Sequence, residues 1–209
     1  MRSLLSPRLA LLPAIAVSPV IASADRLIEI PVGRKLPAGA ARLEHLWEPG
    51  DFTRSRTYLG YGIDQGVEVE FLYDRIESRA GRIEVDLSYQ YYPAFIDQVP
   101  AVRFGIRDLG NSGSRGNRVY VAATYLFTLE GELNANERGE FTVGAMSGGR
   151  NSIFVGILLP FSESLRVMAE HDGMRVTAGL ELRPADGLAL KWLFRPNQTL
   201  VSLSLSRRF

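Results

Sequence analysis

Apolar and polar side chains alternate along most of this chain, from residue 57 to the final residue. A representative stretch reads Val67-Glu68-Val69-Glu70-Phe71-Leu72-Tyr73-Asp74. Because successive side chains of a β-strand point to opposite faces, a period of two predicts strands with one apolar face and one polar face. About eleven such stretches follow one another, separated by turn residues. We therefore expect an all-β chain.

The connections between these stretches carry turn signals. Asp172-Gly173 and Asp186-Gly187 are typical of two-residue hairpin turns, and Arg195-Pro196-Asn197-Gln198 is a plausible tight turn. Short turns between consecutive strands favour an up-and-down antiparallel barrel over a sandwich with long crossing connections.

The C-terminal segment 199–209 has a composition typical of the closing strand of bacterial outer-membrane β-barrels. Four of its apolar residues share one parity, and the chain ends on an aromatic residue: Val201, Leu203, Leu205 and Phe209. Chain ends normally fray, so a strand that runs to the last residue is unusual. We predict that these four residues form the signal read by the barrel-assembly machinery. The alternative is the amphipathic last strand of an ordinary soluble sheet.

The N-terminus is predicted to be a Sec-type signal peptide, residues 1–24, cleaved after Ala24. Arg2 and Arg8 supply the positive charge, residues 9–21 form the apolar region, and Ala22-Ser23-Ala24 is a small-residue cleavage site. The alternative is an N-terminal anchor that stays attached. Together the two termini predict export to the outer membrane of a Gram-negative cell.

The composition excludes several classes of protein. The chain has no cysteine, which rules out disulfides, thiolate metal sites and a lipid-modified cysteine. Its formal net charge is +1, so no nucleic-acid partner is indicated. The mean hydropathy is near zero, which suits a β-barrel because only half of its strand residues face lipid.

We predict an up-and-down antiparallel transmembrane β-barrel of about twelve strands, within a range of about ten to fourteen, since single-chain bacterial barrels have an even number. Three domains are expected. Residues 1–24 are the signal peptide, residues 25–52 an irregular periplasmic segment that can add a first strand, and residues 53–209 the barrel. Aromatic residues near the strand ends suit the interfacial girdles of such a barrel, and its outer surface would contact membrane lipid.

If the apolar faces point outwards, the polar faces line the lumen and bring opposite charges together. Acidic residues lie on two early strands, Glu68, Glu70, Glu84 and Asp86, and basic residues lie on later ones, Arg103, Arg107, Arg118 and Arg175. Like charges on adjacent strands destabilise a sheet unless cations lie between them. We therefore predict an ion-pair network that partly plugs a narrow bore. The alternative is a solvated charged face with no such network.

The chain is expected not to be an enzyme, and no catalytic residue, metal ligand or cofactor is predicted. His171 lies between Glu170 and Asp172, and a carboxylate beside an imidazole can orient a general base. Neighbouring strand residues point to opposite faces, however, so these three side chains do not converge. No group of acidic residues has the spacing of a dedicated calcium loop.

Two stretches resemble repeating elements of the YjbH family. One is the segment 100–110, which contains Gly105-Ile106-Arg107-Asp108-Leu109-Gly110 and is followed by Gly113 and the apolar stretch 119–123. The other is Ala169-Glu170-His171-Asp172-Gly173, followed by a strand that closes on Arg183-Pro184. The resemblance covers residues 100–195, although His171 stands where the family has an aromatic residue and the family's chains are much longer.

Members of the YjbH family are outer-membrane β-barrel proteins associated with exopolysaccharide production or export. The resemblance therefore implies a similar fold, and exopolysaccharide or its export proteins as partners. From the sequence we expect a small outer-membrane barrel with a structural or envelope role. The alternative is a soluble periplasmic β-barrel or sandwich that binds a ligand in its core.

Overall fold

A computed structural model of the chain describes residues 27–76, 81–93, 99–113, 116–128, 138–149 and 151–209. The predicted signal peptide lies outside these ranges. None of the described residues belongs to a helix that could span a membrane.

The described residues form twelve β-strands. These are β1 (Ala40–Glu48), β2 (Asp51–Gly62), β3 (Val67–Ile76), β4 (Arg82–Tyr92), β5 (Ala101–Arg107), β6 (Arg118–Phe127), β7 (Gly139–Ser147), β8 (Ser152–Pro160), β9 (Leu165–His171), β10 (Val176–Ala185), β11 (Leu188–Arg195) and β12 (Gln198–Arg208).

The strands close into one up-and-down barrel. Each strand pairs antiparallel with the next, and β1 pairs with β12 from Ala40 opposite Arg208 to Trp47 opposite Val201. Closure satisfies the edge hydrogen bonds of the first and last strands, which an open sheet would leave exposed. The predicted all-β fold, the antiparallel up-and-down topology and the count of twelve strands are confirmed.

The predicted turns fall between consecutive strands. Gly173 and Gly187 have φ values of 90° and 74°, and Asn197 has a φ of 64°. These left-handed conformations are the ones that D-G and related turns require.

The apolar faces of the strands point outwards and the polar faces point into the barrel. On β6, Val119 and Val121 are 53% and 38% exposed, whereas Tyr120 and Ala122 are 7% and 0% exposed. The same alternation holds around the barrel, so the outer surface is a belt of aliphatic and aromatic side chains. Tyr58, whose aromatic ring suggested the girdle, is 2% exposed and faces the interior.

The barrel has two distinct ends. Odd-numbered strands run away from the end at which β1 begins and β12 finishes, which we call the terminal end. The opposite end, which we call the far end, carries the β5–β6, β7–β8 and β9–β10 connections. The position of a residue along the bore is given below relative to these two ends.

Residues 27–39, which we call the strap, pass through the interior of the barrel. At the terminal end, the backbone N–H of Leu36 donates to Glu68, the second residue of β3, at 2.7 Å. Towards the far end, Glu29 contacts Arg107 and Arg195, the last residues of β5 and β11. The strap therefore fills the bore along much of its length.

The domain boundary differs from the expected one. Residues 25–52 were expected to form an irregular periplasmic segment that can add a first strand, before a barrel at residues 53–209. Instead, the barrel begins at Ala40, because residues 40–48 pair with both β2 and β12. The strap lies inside the barrel because its apolar side chains have apolar partners there.

Candidate functional site

Four carboxylates on β3 and β4, which we call the acidic wall, are held by arginines from other strands. The acidic wall consists of Glu68, Glu70, Glu84 and Asp86. The nitrogen-to-oxygen distances are 3.1 Å for Arg103–Glu68, 3.0 Å for Arg42–Glu70, 3.4 Å for Arg118–Glu84 and 3.4 Å for Arg107–Asp86. Three of the four arginines are those that the sequence singled out, and the structure brings them to the acidic wall.

Glu70 and Asp86 lie directly opposite each other across the β3–β4 ladder. Two carboxylates at such positions repel each other. Arg42 reaches Glu70 from β1 and Arg107 reaches Asp86 from β5, so a cation flanks the pair on each side. Neutralisation by both neighbours makes this buried arrangement tolerable, since an unpaired buried charge is costly.

Arg175 does not belong to the network. It precedes the first residue of β10, in the β9–β10 turn, and its side chain is exposed. The parity of β10 assigns Arg175 to the polar face, but parity places a side chain in the lumen only within the strand. Arg42 on β1 takes the place that was expected for Arg175.

A second group of charges lies on the opposite wall. Glu181 Oε1 accepts from Arg183 Nε at 2.6 Å and lies 3.6 Å from Arg166 Nη1. Lys191 Nζ lies 3.1 Å from Glu44 Oε1, to which Ser202 also donates at 2.6 Å. This group joins five neighbouring strands along the lumen face of that wall: β9, β10, β11, β12 and β1.

The carboxylate of Glu170 anchors the innermost part of the strap. Its oxygens accept the backbone N–H groups of Ile28 at 3.0 Å, Glu29 at 2.9 Å and Ile30 at 3.2 Å. Glu170 is 3% exposed, so these donors replace the water that the carboxylate would otherwise bind. Three consecutive amides on one carboxylate hold the strap to β9.

The side chains and carbonyls of the strap bind to the surrounding wall as well. Glu29 forms ion pairs with Arg56 and, at 3.0 Å, with Arg195. Arg34 pairs with Glu140. Arg103 donates to the carbonyl of Arg34 at 2.9 Å, so it joins the strap to the acidic wall. The strap thus shares its partners with the charged network.

Apolar contacts complete the seal between strap and barrel. Leu27, Ile28, Ile30 and Val32 form one buried cluster with inward-facing residues, namely Leu46, Tyr120, Ala122, Phe154, Leu158, Met168, Leu193 and Leu200. Gly156 allows close approach here, because a Cβ at that position would lie 2.4 Å from Leu27 Cδ1. Burial of each apolar side chain contributes about 1.5–3 kcal/mol.

Little space remains between the strap and the acidic wall. The cavity there measures about 30 Å³ and is lined by strap residues 30–32 together with acidic-wall residues and their arginines. A larger cavity of about 330 Å³, which we call the vestibule, opens at the far end over Glu29, Ile30 and Pro31. The strap therefore leaves little open space beside the acidic wall, on the terminal side of the vestibule.

The three candidate groups around His171 diverge. Glu170 points to the strap, and the backbone N–H of Gly173 donates to His171 Nδ1 at 3.1 Å. Asp172 Oδ1 accepts from the N–H groups of Met174 and Arg175, at 2.8 Å each. Within the described ranges, no group of three or more acidic or histidine side chains could hold a metal ion.

Asp108, in the motif 105–110, organises the β5–β6 connection. It is fully buried, and its carboxylate accepts from the N–H groups of Ser112 at 2.9 Å and Gly113 at 2.8 Å. Its own N–H donates to Asp86 Oδ1 at 2.9 Å. The motif thus connects a far-end loop to the acidic wall.

The predicted assembly residues lie on β12 and at the C-terminus. Leu203 and Leu205 face outwards, at 41% and 53% exposed, Val201 is partly buried, and Phe209 is 83% exposed. The N–H of Phe209 donates to the carbonyl of Gly39 at 3.0 Å. The last residue therefore meets the chain at the point where the strap enters β1.

Neither a protein-family model nor a curated protein matches this chain.

The strap is the part of the site that the sequence did not predict. One signal was present: the polar faces of β8, β9 and β11 carry Phe154, Leu158, Met168 and Leu193, which a water-filled lumen does not explain. Apolar residues on a lumen face indicate an apolar occupant.

Proposed function

We propose that this protein is an integral outer-membrane β-barrel whose bore is closed by its own strap, with a structural or envelope role. The observation that carries the proposal is the outward belt. Large apolar side chains on all twelve strands are exposed, among them Phe104 at 47%, Leu180 at 41% and Phe194 at 50%. Exposure of such a large apolar surface to water would be far less favourable than exposure of the small apolar patches found on soluble monomers.

The interior supports the same proposal. Charged and hydrogen-bonded side chains lie inside, which reverses the arrangement of a soluble barrel. A soluble barrel that binds a ligand in its core would need an apolar cavity, whereas the strap and the ion pairs occupy this one. The soluble alternative is therefore the less well supported of the two.

The proposed link to exopolysaccharide rests on the YjbH resemblance alone. If it applies, exopolysaccharide or its export proteins would meet the barrel at the far end or at the terminal end, since the strap occupies the bore. Deletion of the gene in its host should then reduce secreted polysaccharide, and complementation with the full chain should restore it.

Membrane fractionation tests the central proposal. The full chain should sediment with outer membranes, resist extraction with alkaline carbonate, and migrate faster on a denaturing gel when the sample is not boiled. A chain that is released as soluble periplasmic protein and shows no shift on boiling would contradict the proposal.

A further inference from the structure

A long groove runs along the outer surface of the barrel, across the faces of β3 to β9. The groove is shallow and open to the outside, and its volume is about 1200 Å³. Its lining is mainly apolar and comes mostly from the exposed belt, with the inward-facing Ser88 and Tyr120 contributing as well. The size and the lining suit a ligand with long hydrocarbon chains.

The groove exists because small and large side chains alternate around the barrel. Its floor on β6 and β7 is formed by Val119, Val121 and Ala145, and Val121 lies directly opposite Ala145. Phe104 on one side and Ile153 on the other are large, and each pairs with a floor residue. Two adjacent strands with short outward side chains thus leave a trough between taller walls.

The far end of the groove is polar. Ser147, Asn151 and His171 line it there, and Ser147 Oγ donates to Asn151 Oδ1 at 3.0 Å. Because His171 Nδ1 accepts from the N–H of Gly173, the neutral ring carries its proton on Nε2, which is a donor. An apolar trough that ends in donors matches a molecule with an apolar tail and an acceptor-bearing head.

The groove also meets the vestibule. Met146 and Ser152 line both cavities, and they form the last pair of the β7–β8 ladder at the far end. The rim of the barrel is therefore the point at which the outer apolar groove and the inner polar cavity adjoin.

We propose that the groove is a binding site for one membrane phospholipid. The acyl chains lie against Val119, Val121 and Ala145, and the phosphate accepts a hydrogen bond from His171 at the far-end rim. This inference rests on the proposed membrane location, because the groove is continuous with the apolar belt that would contact the bilayer. A bilayer presents acyl chains directly to such a trough, whereas a protein partner would have to fill it with side chains of matching length.

Lipid retention tests the proposal. The full chain is assembled into nanodiscs of phosphatidylethanolamine and phosphatidylglycerol, transferred to detergent, and examined by native mass spectrometry for bound phospholipid. Ala145→Trp fills the floor of the groove, and the matched control Ala178→Trp adds the same ring to an exposed outward alanine of β10 that does not line the groove. Loss of only two buried methylenes lowers affinity about tenfold.

We expect wild type and Ala178→Trp to retain one phospholipid and Ala145→Trp to retain about tenfold less. His171→Ala should weaken retention while leaving the barrel folded. Equal retention by all four proteins, or none by wild type, would overturn the inference. If Ala145→Trp does not assemble, the smaller change Val121→Phe decides the matter in its place.

The gel shift of unboiled protein from the same nanodiscs separates this inference from the proposed function. A chain that does not enter the bilayer fails that assay and contradicts the membrane location itself. A chain that enters the bilayer, shows the shift and retains no phospholipid contradicts the groove alone.

Discussion

The carboxylate of Glu170 accepts two hydrogen bonds from the backbone N–H of Glu29, one at each oxygen, at 2.9 and 3.0 Å. A single amide thus bridges both oxygens of a buried anion, and the amides on either side of it bind the same group. Hydrogen bonds to charged groups contribute about 1.5–3 kcal/mol each. This contact is therefore a main point at which the barrel wall holds its strap.

Replacement of Glu170 should release the inner part of the strap. We expect Glu170→Ala to lower the free energy of unfolding by about 3 kcal/mol, since three backbone donors lose a charged acceptor. It should also raise the conductance of the barrel in planar lipid bilayers, where wild type is expected to be closed. Glu163→Ala, at an exposed carboxylate of the β8–β9 turn, is the matched control.

An unchanged, closed barrel in Glu170→Ala would show that the apolar cluster and the other polar contacts of the strap hold it without Glu170. In that case Ile30→Asp, which places a carboxylate in the cluster, should open the bore, because a buried unpaired charge is strongly unfavourable.

The barrel wall was predictable from the sequence and the strap was not. The local period of two predicts which face of the sheet a strand residue such as Phe71 or Glu70 lies on. The wall could therefore be predicted without knowing any contact between distant residues. The strap depends on contacts between residues more than a hundred positions apart, as between Ile30 and Glu170. Pro31, Gly33 and Pro37 interrupt any period within it, and its residues were assigned to an irregular periplasmic segment that can add a first strand.

The charged network was predictable in part for the same reason. Parity placed Glu84 and Arg118 on lumen faces, and pairing between opposite charges follows from their burial. Arg42 was missed because the periodicity before residue 57 is weak. Arg175 was included because the alternation of β10 was extended to the residue before its first residue, Val176. Arg175 itself lies in the turn, outside the strand.

Charge reversal at Glu84 should disturb the acidic wall. In Glu84→Lys, a second cation faces Arg118, whose Nη2 lies 3.4 Å from the native carboxylate. We expect a loss of about 3–5 kcal/mol, typical of a broken buried pair, or an opening of the bore. The temperature at which the unboiled gel band converts to the unfolded band measures the first effect, and bilayer conductance measures the second.

Two further variants make this test specific. Glu163→Lys carries the same charge change at an exposed turn and should behave like wild type. The swap Glu84→Lys with Arg118→Glu restores an opposite pair and should recover much of the loss. If Glu84→Lys keeps both wild-type stability and a closed bore, the hypothesis that the ion-pair network helps to close the bore is wrong.

At Gly33 the strap passes very close to the backbone of the wall. A Cβ there would lie 2.1 Å from the carbonyl oxygen of Ala101, while one at Gly110 would meet nothing within 4 Å. The N–H of Gly33 also donates to Thr124 Oγ1 at 2.7 Å. We expect Gly33→Ala to displace the strap and to cost about 1–3 kcal/mol, as overpacking usually does.

The temperature at which the unboiled gel band converts to the unfolded band should be lower for Gly33→Ala than for Gly110→Ala. Gly110→Ala is the control and should match wild type. Limited proteolysis provides a second measurement, because a displaced strap offers new cleavage sites within residues 27–39. Equal stability and equal protection of the two variants would show that the strap shifts without cost at Gly33.

Asp64 gives the β2–β3 turn a dependence on pH. Hydrogen bonds from the N–H groups of Val67 and Gly66 lower the pKa of its carboxyl below the usual value. A lowered pKa stabilises the fold at pH values above the unfolded pKa of about 3.9, and this contribution is lost as the pH falls through the folded pKa. Wild type should therefore exceed Asp64→Asn in Tm at neutral pH, and the difference should vanish in stronger acid. A difference independent of pH would exclude ionisation as its cause.

Removal of Phe209 should block assembly rather than destabilise a finished barrel. Its side chain is 83% exposed, so it adds little packing, and its N–H bond to Gly39 is one of many that close the β1–β12 seam. We expect the chain without Phe209 to fail to reach the outer membrane in cells, yet to show a midpoint of thermal conversion close to wild type when refolded in detergent. Arg208→Ala, which changes an exposed neighbour and keeps the aromatic end, is the control. Normal assembly without Phe209 would contradict its role as the signal, whereas failure in both cells and detergent would indicate that the residue holds the seam itself.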